Sequence, residues 1–197
     1  MVVWSVDELR CQKAKLDRAL RLARSMKWCL TLWSRFVRAR DAHRCVACGS
    51  NERIQAHHIF RKSTYERGRF ELGNGITLCQ SCHQVPHAHF NSRADLRQPL
   101  GAQGGDDQDE MAFLYGALLD DADERNLSHD DFYGLSNEML QFFVAVQGYE
   151  SLYWAVQEGR ISRLRMAHEI WRSMPEGWYT DVVQKIVELN FVEDDLR

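Results

Sequence analysis

Cys45-Val46-Ala47-Cys48-Gly49 opens, and Leu78-Cys79-Gln80-Ser81-Cys82-His83 closes, the stretch that decides the fold. Ala56-His57-His58-Ile59 and Asn74-Gly75-Ile76-Thr77 lie between them, and His87 and His89 follow. Each Cys-x-x-Cys pair lets two thiolates reach one ion from a tight turn, and two such knuckles supply the four soft ligands of a closed tetrahedral Zn²⁺ site. Cys45, Cys48, Cys79 and Cys82 are therefore read as structural zinc ligands. Gly49, just after Cys48, suits the turn. The interval between the knuckles is longer than a minimal zinc ribbon needs, which leaves room for a functional insertion, and the histidines sit in it.

Taken in order, the His pair, the Asn and the His after the last Cys form an HNH pattern, and the segment resembles the HNH (ββα-metal) endonuclease family in its four-cysteine, zinc-braced version. The resemblance covers residues 45–90. It extends more loosely to Phe36-Val37-Arg38-Ala39-Arg40-Asp41, similar to the basic helix that leads into the first knuckle, and it covers nothing after about residue 95. It implies that His57 binds a catalytic metal and that His58 is the general base. Asn74 would brace the loop and keep that base oriented, and His83 would be a second metal ligand. His87, four residues on, fits the members that use His-x-x-x-His; Pro86 breaks an easy helix there, so His89 is an alternative third ligand. The catalytic ion would be one divalent metal, Mg²⁺, Mn²⁺, Ni²⁺ or Zn²⁺, a choice that sequence does not make.

The residues themselves are compatible with these roles. Ile54–Phe60 has the composition of a strand, and neighbours on a strand face opposite sides, so His57 and His58 are expected to do different jobs. A neutral imidazole titrating near neutrality suits a general base. Outside this frame His-His would be an ordinary surface strand, and Asn74-Gly75 an ordinary turn. Arg61, Lys62, Arg67 and Arg69 lie in the long connection after the first strand and are read as phosphate-positioning groups, together with Arg38 and Arg40 upstream.

The 197 residues carry a net charge of −3, which hides an asymmetry. Residues 1–100 hold 18 Lys/Arg and 8 Asp/Glu, a net of +10; residues 101–197 hold 7 and 20, a net of −13. A basic arm of this kind fits a polyanion such as DNA; two solvated faces of opposite sign are the plainer alternative. The acidic half invites either a protein partner or an autoinhibitory contact with the basic helices. No run of 18 apolar residues exists, so no membrane span is expected. Met1-Val-Val-Trp-Ser lacks the pattern of a signal peptide. Six cysteines, four of them committed to metal, point to a reducing, cytoplasmic setting, with Cys11 and Cys29 as buried free thiols.

Ser5-Val6-Asp7-Glu8 is a capping box that starts a helix running to about residue 27. Its outer surface is Lys- and Arg-rich and is read either as a phosphate-tracking face or as a solvated one. Trp28, Leu32, Trp33, Phe36 and Val37 recur at helical spacing with Arg35, Arg38 and Arg40 between them; the stripe reads chiefly as core, with stacking on nucleic-acid bases as the alternative. Pro99, Gly101, Gly104 and Gly105 mark a linker over 97–109. Beyond it, Met111–Leu119, a helix capped by Ser136 and ending at Gly148, Tyr149–Met174 with Gly159 as a break, and a helix capped by Thr180-Asp181 read as a bundle. The run Asp120, Asp121, Asp123 and Glu124 reads as a solvated loop, with DNA mimicry or cation binding as the alternatives, and His43, His129 and His168 read as structural or solvated.

The expected architecture is thus α+β: a zinc-braced ββα-metal finger preceded by basic helices (1–96, core 45–90), a linker (97–109) and a small all-α acidic domain (110–197). The expected function is metal-dependent hydrolysis of DNA phosphodiester bonds, in a phage- or defence-type setting. The different-class alternative is a catalytically silent zinc-finger DNA-binding or scaffold protein. The joint presence of His57, His58, Asn74 and His83 favours the enzyme.

Overall fold

The first helix begins where the capping box puts it. Ser5 Oγ accepts from the Glu8 amide at 3.3 Å, and the Glu8 carboxylate accepts from the Ser5 amide at 2.7 Å. In the computed structural model, which describes residues 4–62, 66–87, 108–147 and 150–174, this helix (α1) spans Val6–Arg21. It buries Leu9, Leu16 and Ala19 along one stripe. It stops earlier than the sequence pattern suggests. Ala23 takes a left-handed φ of 47°, and Ser25 caps a second helix, α2 (Met26–Arg40), by accepting from the Trp28 amide. The reversal lets α1 and α2 pack as a hairpin, a gain that outweighs the roughly 1–2 kcal/mol of left-handed strain.

α2 leads into a two-stranded antiparallel sheet, β1 (Gln55–His58) and β2 (Gly75–Leu78), with Gln55 opposite Leu78 and His58 opposite Gly75. Two strands alone are marginal in water; here α2 packs on the hairpin and α3 (Gln80–Gln84) follows it. β1 is shorter than the expected Ile54–Phe60, because past His58 the ladder gives way to other bonds. The Ile59 amide donates to the Asn74 carbonyl, and the Phe60 amide donates to the Asn74 side chain. Gly75 is extended, at φ −116°, so Asn74-Gly75 is no left-handed turn. A Cβ there would sit 2.6 Å from the Trp33 ring and 2.7 Å from a Val37 methyl; the glycine allows α2 to lie directly on β2. α3 is five residues long and ends just before Pro86, as a residue without an N–H dictates.

The acidic half is helical: α4 (Gln108–Glu124), α5 (His129–Phe132), α6 (Asn137–Gln147), α7 (Glu150–Gln157) and α8 (Arg163–Ser173). α4 extends the expected Met111–Leu119 segment at both ends. Ser136 caps α6 by accepting from the Met139 amide, and Gly159, at φ +72°, separates α7 from α8. The linker over 97–107, His89 and the helix expected after Thr180 lie outside the described residues.

Finger and helices share one continuous apolar cluster. The Phe60 ring, two residues after His58, stacks on Trp171 at 5.7 Å and meets Phe143 at 6.3 Å. The run Asp120–Glu124 is the end of α4 rather than a solvated loop. Asp121 is buried between Arg44 and Arg125, and Asp123 pairs with Arg165 and His129. Among the described residues, no helix is long and apolar enough to cross a membrane.

Candidate metal centre and active site

The four knuckle cysteines converge, with all four sulfurs within 4.8 Å of one another. Gly49 makes the first knuckle possible: at φ +77° it turns its amide back to the Cys45 carbonyl at 2.8 Å, a conformation that costs glycine little. The Val46 amide donates to the Thr77 carbonyl, tying this knuckle to β2, while Cys79 begins α3 and carries the other. Cys48 and Cys79 sulfurs lie 3.7 Å apart. That is nearly twice a disulfide bond and matches the ~3.8 Å edge of a tetrahedron with ~2.3 Å Zn–S arms. The Cys82 amide draws Cys79 down to about 7, whereas burial pushes Cys45 and Cys82 up. The other thiols favour the thiolate at Cys79 and disfavour it at Cys82, and a bound dication favours thiolates throughout such a set. The cluster fits zinc.

The two histidines of β1 point to opposite sides, as the strand period requires. His57 turns toward α3, where its ring meets His83 and His87, each at 5.0 Å. One ring nitrogen from each of the three lies within 4.8 Å of the others. His57 Nε2 is buried and has no hydrogen-bond partner among the described residues, a state that costs free energy unless something else binds the lone pair. Burial, followed by the neighbouring His83 and His87, holds His57 well below the usual imidazole range; burial also lowers His83 and His87. All three are thus neutral ligands in waiting. His87 follows the end of α3 in a turn, its amide bonded to the Gln84 carbonyl at 3.2 Å. Pro86 therefore shortens the helix without displacing His87 from the cluster.

His58 turns the other way, onto α2. Its ring stacks on Trp33 at 4.0 Å with an interplanar angle of 8°. Its Nε2 lies 2.9 Å from the Arg69 carbonyl. A carbonyl only accepts, so in the neutral ring Nε2 carries the hydrogen and Nδ1 keeps the basic lone pair. Burial pushes His58 down to about 4, with Lys62 and Arg69 adding to the effect against the Arg69 carbonyl bond; the ring is neutral at pH 7.

Asn74 fixes the loop that presents that carbonyl. It is fully buried. Its Oδ1 accepts from the Phe60 amide at 2.7 Å, and its Nδ2 donates to the Phe60 carbonyl at 2.9 Å and the Gly68 carbonyl at 3.1 Å. Asn74 thus spans from the residue two past His58 to the residue just before Arg69. Tyr115, from α4, donates a further bond to Oδ1 at 3.2 Å.

The basic residues divide. Arg61 and Lys62 line one cavity with Ala56, His57, His58, His83 and His87. Arg67 and Arg69 lie on the 3-10 turn Glu66–Phe70, where Arg69 bonds Glu66 at 2.7 Å. Arg38 is half-buried on α2, its Nε bonded to the Ser34 carbonyl. Arg40 is no surface contact. It is fully buried, pairs with Asp41 at 2.7 Å and donates to the Leu72, Gly75 and Phe132 carbonyls. Its guanidinium lies 4.2 Å from the centre of the Tyr133 ring. With Asp41 accepting from the Thr77 amide at 2.8 Å, the pair welds α2, β2 and the helical half together. An Arg beside two other arginines reads as a phosphate contact in sequence; only the fold shows that it faces inward.

Trp33, Tyr115 and the Arg69 carbonyl complete the site and were not legible as site groups. Trp33 belongs to an aromatic stripe that reads as core, and nothing in the sequence links Tyr115 to a loop 41 positions away. His129 bonds Ser162 at 2.8 Å and Asp123 at 2.9 Å, but Ser162 is already the cap of α8, so this trio ties helices together. No curated protein and no solved structure matches the chain. The family model described as HNH endonuclease matches residues 45–89, and this segment, with its paired strands and clustered cysteines, is a zinc-braced ββα finger of the HNH endonuclease type, which supports a nuclease-type function in general.

Proposed function

We propose that the protein is a metal-dependent endonuclease that hydrolyses phosphodiester bonds in DNA. The observation that carries this reading is the convergence of His57, His83 and His87 to within 4.8 Å in the same cavity as His58, Arg61 and Lys62. A three-histidine set with open positions suits a divalent ion, which when bound supplies Lewis-acid stabilisation of the phosphate and of the leaving oxygen. The four-cysteine zinc site has no open position and serves the fold.

The chain's own residues divide the remaining work. Arg61 and Lys62 bind the scissile phosphate through charge-assisted hydrogen bonds. His58, its ring clamped by Trp33 and its Nε2–H held by the Arg69 carbonyl, offers Nδ1 to the attacking water. As the new P–O bond forms and the P–O3′ bond breaks, the water proton passes to Nδ1. An anionic phosphodiester in the cavity counteracts the depressed pKa of His58 and raises its proton affinity when a base is needed. Asn74 acts one step removed, by holding the loop that carries the Arg69 carbonyl.

The test is a plasmid-nicking assay over Mg²⁺, Mn²⁺, Ni²⁺ and Zn²⁺. Conversion of supercoiled to nicked or linear DNA is expected with at least one ion and its loss in His58→Ala. Absence of cleavage with every ion, in protein that retains its structural zinc, would overturn the reading in favour of a silent DNA-binding finger.

A further inference from the structure

α2 has two working faces. Met26, Trp33, Val37 and Arg40 face the finger, where they meet Arg69, His58, Gly75 and Leu72 respectively. Trp28, Leu32, Arg35 and Ala39, offset by about half a turn, line a different feature: a groove of about 370 Å³ between α2 and α1. Trp4, Lys15, Arg38 and His43 complete its walls, with Gln12. Leu32 in the groove wall is the chain neighbour of Trp33, whose ring stacks on His58.

Two features of this groove need explaining. Trp28 is 46% exposed, although the other large apolar residues of its stripe, Leu32, Trp33, Phe36 and Val37, are buried. The cations beside it also lack carboxylates. Elsewhere on α1, Arg10 pairs with Asp7 and Asp131, and Lys13 with Asp17. Among the described residues, Lys15, Arg35 and Arg38 make no ion pair, and no Asp or Glu lines the groove. Trp4 is set in place by its indole N–H, which donates to His43 at 3.2 Å. Indole faces beside unneutralised cations complement a ligand that is both anionic and flat. A duplex presents phosphates but keeps its base faces stacked away; an unpaired strand presents both.

We propose that this groove binds single-stranded DNA, with a base on Trp28 and the backbone along Lys15, Arg35 and Arg38. The substrate is then DNA with an unpaired strand next to a duplex, as at an overhang, a flap or a junction. This deepens the nuclease reading and rests on it only for the identity of the substrate. Binding by the groove is measured without any cleavage.

The experiment uses the full chain, zinc-loaded, in a His58→Ala background so that bound DNA stays intact. Fluorescence anisotropy compares a single-stranded oligonucleotide, a blunt duplex, a duplex with a single-stranded overhang, and a single-stranded RNA. The overhang duplex is expected to bind more tightly than the blunt one. Trp28→Ala should weaken single-strand and overhang binding by about tenfold, within the range seen for loss of one base stack, and leave the blunt duplex unchanged. Trp28 is half-exposed, so its removal leaves the fold in place. Arg35→Glu, which leaves the tryptophans intact, should weaken the same ligands and lower their salt dependence. Equal effects on blunt and overhang duplexes, no effect of either variant, tighter binding of RNA, or self-association that closes the groove would each overturn the proposal. If the wild type cuts blunt duplex and these outcomes appear, only the groove assignment fails. If no DNA is bound or cut, the nuclease reading itself has failed.

Discussion

Tyr115 donates a hydrogen bond at 3.2 Å to Asn74 Oδ1, so a helix from the acidic half reaches the middle residue of the HNH pattern. Both groups are fully buried. Tyr115→Phe removes one donor and keeps the shape, which is expected to cost about 0.5–1.5 kcal/mol of stability and to slow cleavage without altering zinc content. Asn74→Ala should do far more. It leaves the Phe60 amide and the Phe60 and Gly68 carbonyls without their present partners, at about 1–3 kcal/mol for each that stays dry. Thermal melts and single-turnover rates on both variants check the order; equal effects would show that Asn74 does not organise the loop.

His58→Ala is expected to lower the cleavage rate by ~10²–10⁴, the usual worth of a positioned general base. Zinc content and DNA affinity should stay near wild type, because His58 touches Trp33 and the Arg69 carbonyl and takes no part in either metal cluster. Wild-type turnover in that variant would remove His58 from the mechanism.

Cys45→Ser is expected to unfold the finger rather than slow it. Cys45 is fully buried, and binding energy at a structural zinc is folding energy. Zinc stoichiometry should fall together with the melting temperature, and a chelator should reproduce the effect on the wild type. A variant that melts normally without zinc would show that the four-cysteine cluster is dispensable.

The finger was legible because its chemistry is local. Knuckle spacing, a His pair on a strand and a trailing His are short-range signals, and they place the two clusters and the opposite orientations of His57 and His58. The surroundings were not legible, because they depend on long-range packing. Arg40 looks like a phosphate contact until the Leu72, Gly75 and Phe132 carbonyls close around it. The α1–α2 break at Ala23 goes against the helical pattern, because hairpin packing outweighs local propensity. Asp121 reads as part of a charged loop only while Arg44 and Arg125 are unknown.

Arg40→Leu is expected to destabilise the protein by about 3–5 kcal/mol, because it strands Asp41 as a buried charge and removes the donors of three carbonyls. That is a large part of the ~5–15 kcal/mol that holds a typical domain. Under conditions where the variant is folded, its DNA affinity should match the wild type, in contrast to Lys62→Ala in the cavity. A folded Arg40→Leu protein with wild-type stability and weakened DNA binding would return Arg40 to the surface role that its neighbours suggest.

The charge asymmetry allows two opposite outcomes for a protein truncated near Asp95, and the packing chooses between them. If the acidic half were a tethered competitor, its removal would tighten DNA binding and speed cleavage, most clearly at low salt where screening is weak. The contacts argue for the reverse. Truncation strips Phe143 and Trp171 from Phe60, Tyr115 from Asn74, and the Phe132 carbonyl and Tyr133 ring from Arg40. Uncovering an aromatic of that kind costs on the order of the 3–5 kcal/mol seen when one is deleted from a core, and the loop holding the Arg69 carbonyl loses its brace. The truncated protein is therefore expected to melt at lower temperature, expose apolar surface and cut more slowly at every salt concentration. Proteolysis, dye binding and nicking rates over a salt series decide the matter: faster cutting by a stable, zinc-loaded fragment would show that the helices restrain the nuclease instead of building it.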